Sequence, residues 1–282
     1  MKSLIFDKGK LSDLHGLSCI ENFLLYILRE EQYAYKDLFY KSFLHFDEII
    51  DIFFEKKVEY ASFYNIKRIQ DVAKENNIIN VNVNSCLEPL FLDKHDYICV
   101  MVKPEYIKEK YKTELWREDH YILLSKAENS NFYYLNDTPR DTGLLSFDEL
   151  KNIFSEYVIA FDINKNTSNE MKKVFLNEFI KDLGTERNDL IIPNISEFIM
   201  ARDILGIHRV LRKRTYEFCS QYVNVDFLTP YLNSLDKYYA LFEYMRLRDK
   251  VDYKKINEIF DLINKEDINQ VSLMITELEK IK

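Results

Sequence analysis

Five short runs between residues 78 and 163, "IINVNVN", "YICVMV", "HYILLSKA", "FYYLND" and "YVIAFDI", alternate apolar with polar residues or concentrate β-branched and aromatic ones, as strands do. Beyond residue 166 such runs almost vanish. Strands need partners, so this span must build a sheet from its own segments while the rest of the chain packs as helices. Upstream, Ile20, Phe23, Leu24, Ile27 and Leu28 recur at the spacing of one apolar helical face, and "AYKDLFYKSFLHFDEIIDIFFEKKV" and "NIKRIQDVAKENN" continue in helical style. In "SFDELKNIF", Ser146 and Glu149 have the spacing of a capping box. Downstream, "NISEFIMARDILGIHRVLRKRTYEFCSQYV" and "TPYLNSLDKYYALFEYMRLRDK" read as long helices, followed by two shorter ones in "DYKKINEIFDLIN" and "EDINQVSLMITELEKIK". The expected class is α+β, with a first domain over 1–165 and an α-helical bundle over 166–282, the boundary falling in the polar "DINKNTSNE".

At 282 residues the chain can bury a substantial core, and its 47% hydrophobic and 30% charged residues describe a globular protein. The formal net charge of −8 argues against nucleic acid as the main partner. The cysteines, at 19, 86, 99 and 219, form no C-x-x-C pair, so neither zinc nor a disulfide framework is expected and a reducing compartment suits them. "MKSLIFDKGKLSD" has too short an apolar run for a signal peptide, and no segment nears the ~18 apolar residues of a membrane span. A soluble, cytoplasmic protein without a membrane partner is expected.

The cysteine of "DLHGLSCIENF" opens the first helix. Ser18 suits the N-cap and Glu21 the first turn, so Cys19 would lie among amide groups that lack intrahelical partners, a field that favours a thiolate. Two roles stay open for it: nucleophile, or small apolar filler at a helix start. A nucleophile needs a base, and the base needs an orienting acceptor. His120 opens "HYILLSKA" and Asp137 closes "FYYLND", and two antiparallel strands joined through "ENSN" would bring them side by side. His15 and His208 fall in helix-flanking or helical segments, and His45 and His95 have no comparable carboxylate context, so these read as structural or solvated. Cys86, Cys99 and Cys219 read as buried packing residues, and Asp119 as a solvated strand-end residue.

Together, "LSCIENFLLYIL", "DYICVMVKPEY", "HYILLSKAENSNFYYLND" and "TGLLSFDELKNIF" resemble the papain-like fold of the bacteriocin-processing cysteine peptidases. They are more similar still to the amino-terminal domain of the butirosin biosynthesis protein H family, over about residues 11–162. Members of that family are papain-like in fold and act as acyltransferases, moving an acyl group from a carrier-protein thioester to an amine. The resemblance implies Cys19 as nucleophile, His120 as base and Asp137 as the residue that orients His120. It further implies no metal or organic cofactor, a donor carried on the phosphopantetheine arm of an acyl or peptidyl carrier protein, and a small-molecule amine acceptor. Asn136 is the alternative orienter, because papain uses an asparagine after its histidine. The "C-G-S-C-W" surroundings of papain-type peptidases are absent, and their oxyanion-hole glutamine, six residues before the cysteine, is replaced by Asp13. A carboxylate there repels a developing oxyanion, so the hole would draw on the Cys19 N–H with His15 or Asn22.

The stretch "HRVLRKR" concentrates Arg209, Arg212, Lys213 and Arg214. Arg209, Arg212 and Lys213 read either as a docking face for an acidic carrier protein and its phosphate, or as a solvated helix face balanced by nearby acids. The expected activity is amide formation through an acyl-Cys19 intermediate in secondary-metabolite biosynthesis. A cysteine peptidase or amidase with the same triad, and a non-catalytic carrier-protein or ligand-binding module, stand as alternatives.

Overall fold

The computed structural model describes residues 3–54, 69–112, 120–127, 131–164, 169–185 and 192–281. The helices are α1 (Cys19–Glu30), α2 (Phe46–Phe54), α3 (Ile69–Glu75), α4 (Pro89–Lys94), α5 (Pro104–Tyr111), α6 (Phe147–Ile153), α7 (Asn169–Leu183), α8 (Phe198–Cys219), α9 (Thr229–Leu247) and α10 (Tyr253–Glu279). The strands are β1 (Ile79–Asn84), β2 (Tyr97–Val102), β3 (His120–Lys126), β4 (Asn131–Asp137), β5 (Arg140–Ser146) and β6 (Phe154–Ile163). Asp119, residues 128–130 of the β3–β4 link, and residues 165–168 of the expected linker lie outside the described residues.

The chain divides into two compact units, Met1–Tyr35 with Gln70–Thr167, and Lys36–Ile69 with Ser168–Lys282. The second unit therefore takes in a segment that the linear reading assigns to the first domain. The apolar residues of α2 explain why: Phe46, Ile49, Ile50 and Phe53 are buried, and α2 packs on α8 and α10.

The first unit is built on a six-stranded sheet in the order β1-β6-β2-β3-β4-β5, with all neighbouring strands antiparallel. All of β2 is buried, as a near-continuous apolar run in mid-sheet requires, whereas β1, at an edge, buries Ile79 and leaves its asparagines half-buried or exposed. The strand missing from the sequence reading is β5. "RDTGLLS" lacks period-two alternation; it is a strand because Thr138 and Pro139 turn the chain back so that Arg140 faces Asp137 and Gly143 faces Tyr134. One sheet face, with Ile98, Val100, Ile122, Leu124, Tyr134, Val158 and Ala160, is covered by Leu92 of α4, Ile107 of α5 and Leu150 of α6. The Ser146 cap of α6 forms as a capping box, Ser146 Oγ accepting from the Glu149 N–H and Glu149 Oε2 from the Ser146 N–H. Helix α1 packs on β2, β3 and β4.

In the second unit Tyr40 stacks on Phe175, Phe179 meets Phe218, and Phe46 meets His208 and Phe260. The two shorter helices expected at the carboxyl end are one helix, α10. No Gly or Pro interrupts residues 253–279, and Asp267 near the expected break points into the core. Among the described residues, no helix is long and apolar enough to cross a membrane.

Candidate active site

Cys19 is the first residue of α1, where Ser18 Oγ caps the Glu21 N–H at 3.2 Å and Glu21 Oε2 accepts from the Leu17 N–H at 2.8 Å. The loop before it is pinned by one close approach. His15 adopts the left-handed region, φ 56°, and Gly16 donates its N–H to Asn22 Oδ1 at 3.0 Å. A Cβ on Gly16 would fall 2.2 Å from that oxygen, so only glycine fits. Asn22 then donates through Nδ2 to Asp137 Oδ2 at 3.1 Å, which ties the loop and α1 to the end of β4. Of the proposed oxyanion and support residues, Asn22 is thus engaged at both ends of its amide, and His15 lies half-buried beside Gly16.

The pleat sorts the β3 and β4 residues. Leu124 stands opposite Tyr134 and Leu123 opposite Leu135. Counting by twos, His120 and Asn136 share the face of Leu124 and Tyr134, while Asp137 shares the face of Leu123 and Leu135. His120 Nε2 lies 2.5 Å from Asn136 Oδ1, and Asn136 Nδ2 donates to the Pro139 carbonyl at 2.6 Å. That carbonyl fixes which way the amide points, so Nε2 carries the ring hydrogen and Nδ1 is the basic nitrogen of the neutral imidazole. Asp137 Oδ1 stands 4.0 Å from the same Nε2, beyond hydrogen-bond reach. His120, Asn136 and Asp137 are all buried. The hydrogen-bonded neighbour of His120 is therefore Asn136, the alternative in the sequence reading, because strand alternation turns Asp137 to the opposite face.

Cys19 lies close enough to the end of β4 and the start of β3 to feel Asp137 and the Tyr121 backbone. Burial pushes its thiol up to about 12, the charge of Asp137 adds to the shift, and backbone hydrogen bonds at Tyr121, Ile20 and Cys19 itself oppose it. The helix-start field expected from the sequence is present, but desolvation outweighs it and the resting group is a thiol. Cys99, buried on β2, is pushed well up by burial, and the neighbouring Cys19 and Asp137 add to the shift. Burial likewise raises the Asp137 carboxyl, against the opposing pull of Asn22, His120 and the Asp137 and Thr138 backbone. Cys99 and Cys219 are buried, but Cys86 is exposed, contrary to its reading as a packing residue, because it follows the end of edge strand β1.

The basic stretch of α8 is not a free charged face. Arg212 is 1% exposed, donating through Nε and Nη2 to the Asp267 carboxylate at 2.7 and 2.8 Å and through Nη2 to the Leu44 carbonyl at 2.8 Å. Arg209 and Lys213 both pair with Asp236, and Arg214 is buried. His208, read as structural, is buried with Nε2 2.7 Å from the Tyr231 hydroxyl. His95, read as lacking a carboxylate, has Nδ1 2.8 Å from Asp162 Oδ2. Among the described residues, no group of three or more His, Cys, Asp and Glu side chains has metal-binding geometry.

The chain matches no protein-family model and no curated protein.

Proposed function

We propose that the first unit is a papain-like catalytic domain that forms amides, taking an acyl group from a carrier-protein thioester onto Cys19 and passing it to an amine. The observation that carries this reading is the short His120–Asn136 hydrogen bond, which leaves Nδ1 as the base, at the end of the sheet on which the Cys19 helix packs. The raised thiol argues for base-assisted attack rather than a standing ion pair: His120 removes the thiol proton as the thioester binds, sulfur attacks the carbonyl carbon, and the carrier thiol departs with a proton from the imidazolium. The first-turn amides of Cys19 and Ile20, which already lower the thiol, are suited to receive the developing oxyanion. With no glutamine in the peptidase position and Asp13 there instead, the site is poor for peptide hydrolysis. In this reading the protein works in the cytoplasm, in secondary-metabolite assembly, with an acyl or peptidyl carrier protein as partner and no metal or organic cofactor of its own.

Intact-protein mass spectrometry after incubation with acyl thioesters tests it. A mass adduct should accumulate on Cys19, discharge as an amide when an amine is added, and be absent in Cys19→Ala. Rapid release of free acid that no amine alters would mark a hydrolase instead, and an unmodified Cys19 beside tight carrier binding a binding module.

A further inference from the structure

With Asn136 bonded to His120, Asp137 has no part in that pair, yet its carboxylate is built into the site. It lies at the end of the sheet, near enough to Cys19 for its charge to raise the thiol, with Oδ1 4.0 Å from His120 Nε2 and Oδ2 held by Asn22. Among the described residues Oδ1 makes no hydrogen bond, although the side chain is only 7% exposed. Burial raises the Asp137 carboxyl even against the pull of Asn22, His120 and the Asp137 and Thr138 backbone, so its charge is incompletely compensated, an arrangement that becomes favourable when a cation meets it. Amide formation brings one: a primary alkylamine, like a lysine side chain, is an ammonium ion at pH 7.

We infer that Asp137 Oδ1 is the binding group for the ammonium of the acceptor, so that the site selects cationic primary amines over neutral nucleophiles. The inference rests on the acyl-transfer reading of Cys19. The ammonium docks on Oδ1 and gives one proton to His120, which sheds it to water. The freed lone pair forms the C–N bond, the C–S bond breaks with its electron pair on sulfur, and the second proton lost by nitrogen returns Cys19 to the thiol. The amide product is uncharged at that nitrogen and loses its hold on Asp137, which favours release.

The test chases acyl-Cys19 enzyme at pH 7 with n-butylamine, a cation there, or with hydroxylamine, which is neutral. Asp137→Asn should lower the ratio of the two discharge rates by about tenfold or more, the loss of ~1.4 kcal/mol of discrimination; an unchanged ratio overturns the inference. In parallel, n-butylamine at millimolar concentration should raise the thermal midpoint of the unacylated wild-type protein while n-butanol does not. Equal shifts with both, or none with either, overturn it even where the variant fails to fold. A wild-type Cys19 that accepts no acyl group refutes the acyl-transfer reading, and the amine-binding measurement still decides the role of Asp137.

Discussion

A thiol reacts through its anion, and at Cys19 burial and the charge of Asp137 keep the proton on sulfur up to about 12. Cys86 is exposed. Iodoacetamide at pH 8 should therefore alkylate Cys86 before Cys19, and labelling of Cys19 should climb as pH rises, since a raised thiol ionises only at higher pH. Replacing Asp137 by Asn removes a charge that opposes the thiolate and should move the onset of Cys19 labelling to lower pH. Peptide mapping that finds Cys19 alkylated first at pH 8 would refute the order, and an onset unchanged in Asp137→Asn would refute the role of its charge. Gly16→Ala should be harmful out of proportion to one methyl group, because its Cβ collides with the acceptor of its own N–H. Overpacking of that kind costs about 1–3 kcal/mol. A calorimetric midpoint unchanged from wild type would show that the loop relaxes without loss. The N-cap at Ser18 and the meeting of His120 with the end of "FYYLND" were legible in the residues themselves. The choice between Asn136 and Asp137 was not, because it depends on the β3–β4 register, which one sequence does not state. That Cys19 is half-buried was hidden for a similar reason: its cover is set by the sheet beneath the helix rather than by the helix itself.

Helix α8 shows how a charge run misleads. Arg209, Arg212, Lys213 and Arg214 crowd within one and a half turns, so they point in several directions rather than along one face. Arg212 turns inward to a fully buried Asp267 on α10, whose Oδ2 also accepts from the Phe46 N–H at 3.2 Å. The Arg212 cation and desolvation act in opposite directions on Asp267, and the cation prevails, holding the carboxyl well below the usual range. Asp267→Ala leaves that cation buried alone and should destabilise the protein by about 3–5 kcal/mol in urea melts. Arg212→Met combined with Asp267→Leu should be more stable than either single replacement, and a double variant no better than Asp267→Ala would show that the pair is irreplaceable. Apolar periodicity foretold α1, the capping box foretold α6, and alternation, β-branching or aromatic content foretold every strand but β5. What β5 has instead of a pattern is a neighbour: the turn at Thr138 and Pro139 delivers it to β4, and Tyr134 lies across Gly143 where no side chain could stand.

The linear boundary near residue 166 and the compact units differ by one insertion, Lys36–Ile69, whose helix α2 completes the second unit rather than the first. A fragment of residues 1–165 should accordingly expose Phe46, Ile49, Ile50 and Phe53, all buried in the whole chain, and be insoluble or elute as aggregates in size-exclusion chromatography. A monodisperse fragment would show that α2 can settle without its bundle. No local signal could have revealed this, since an amphipathic helix looks the same whichever unit receives it. The strand order has a consequence of its own for synthesis. Strand β6, last of the sheet to leave the ribosome, lies between β1 and β2. Until residue 163 has emerged, β1 has no partner in the sheet and one side of β2 stands open, for several seconds at ~5–20 residues per second. A ribosome stalled before Phe154 would therefore hold out Tyr97–Val102, wholly buried in the finished protein, as a bare apolar edge for chaperones or for another nascent chain to claim.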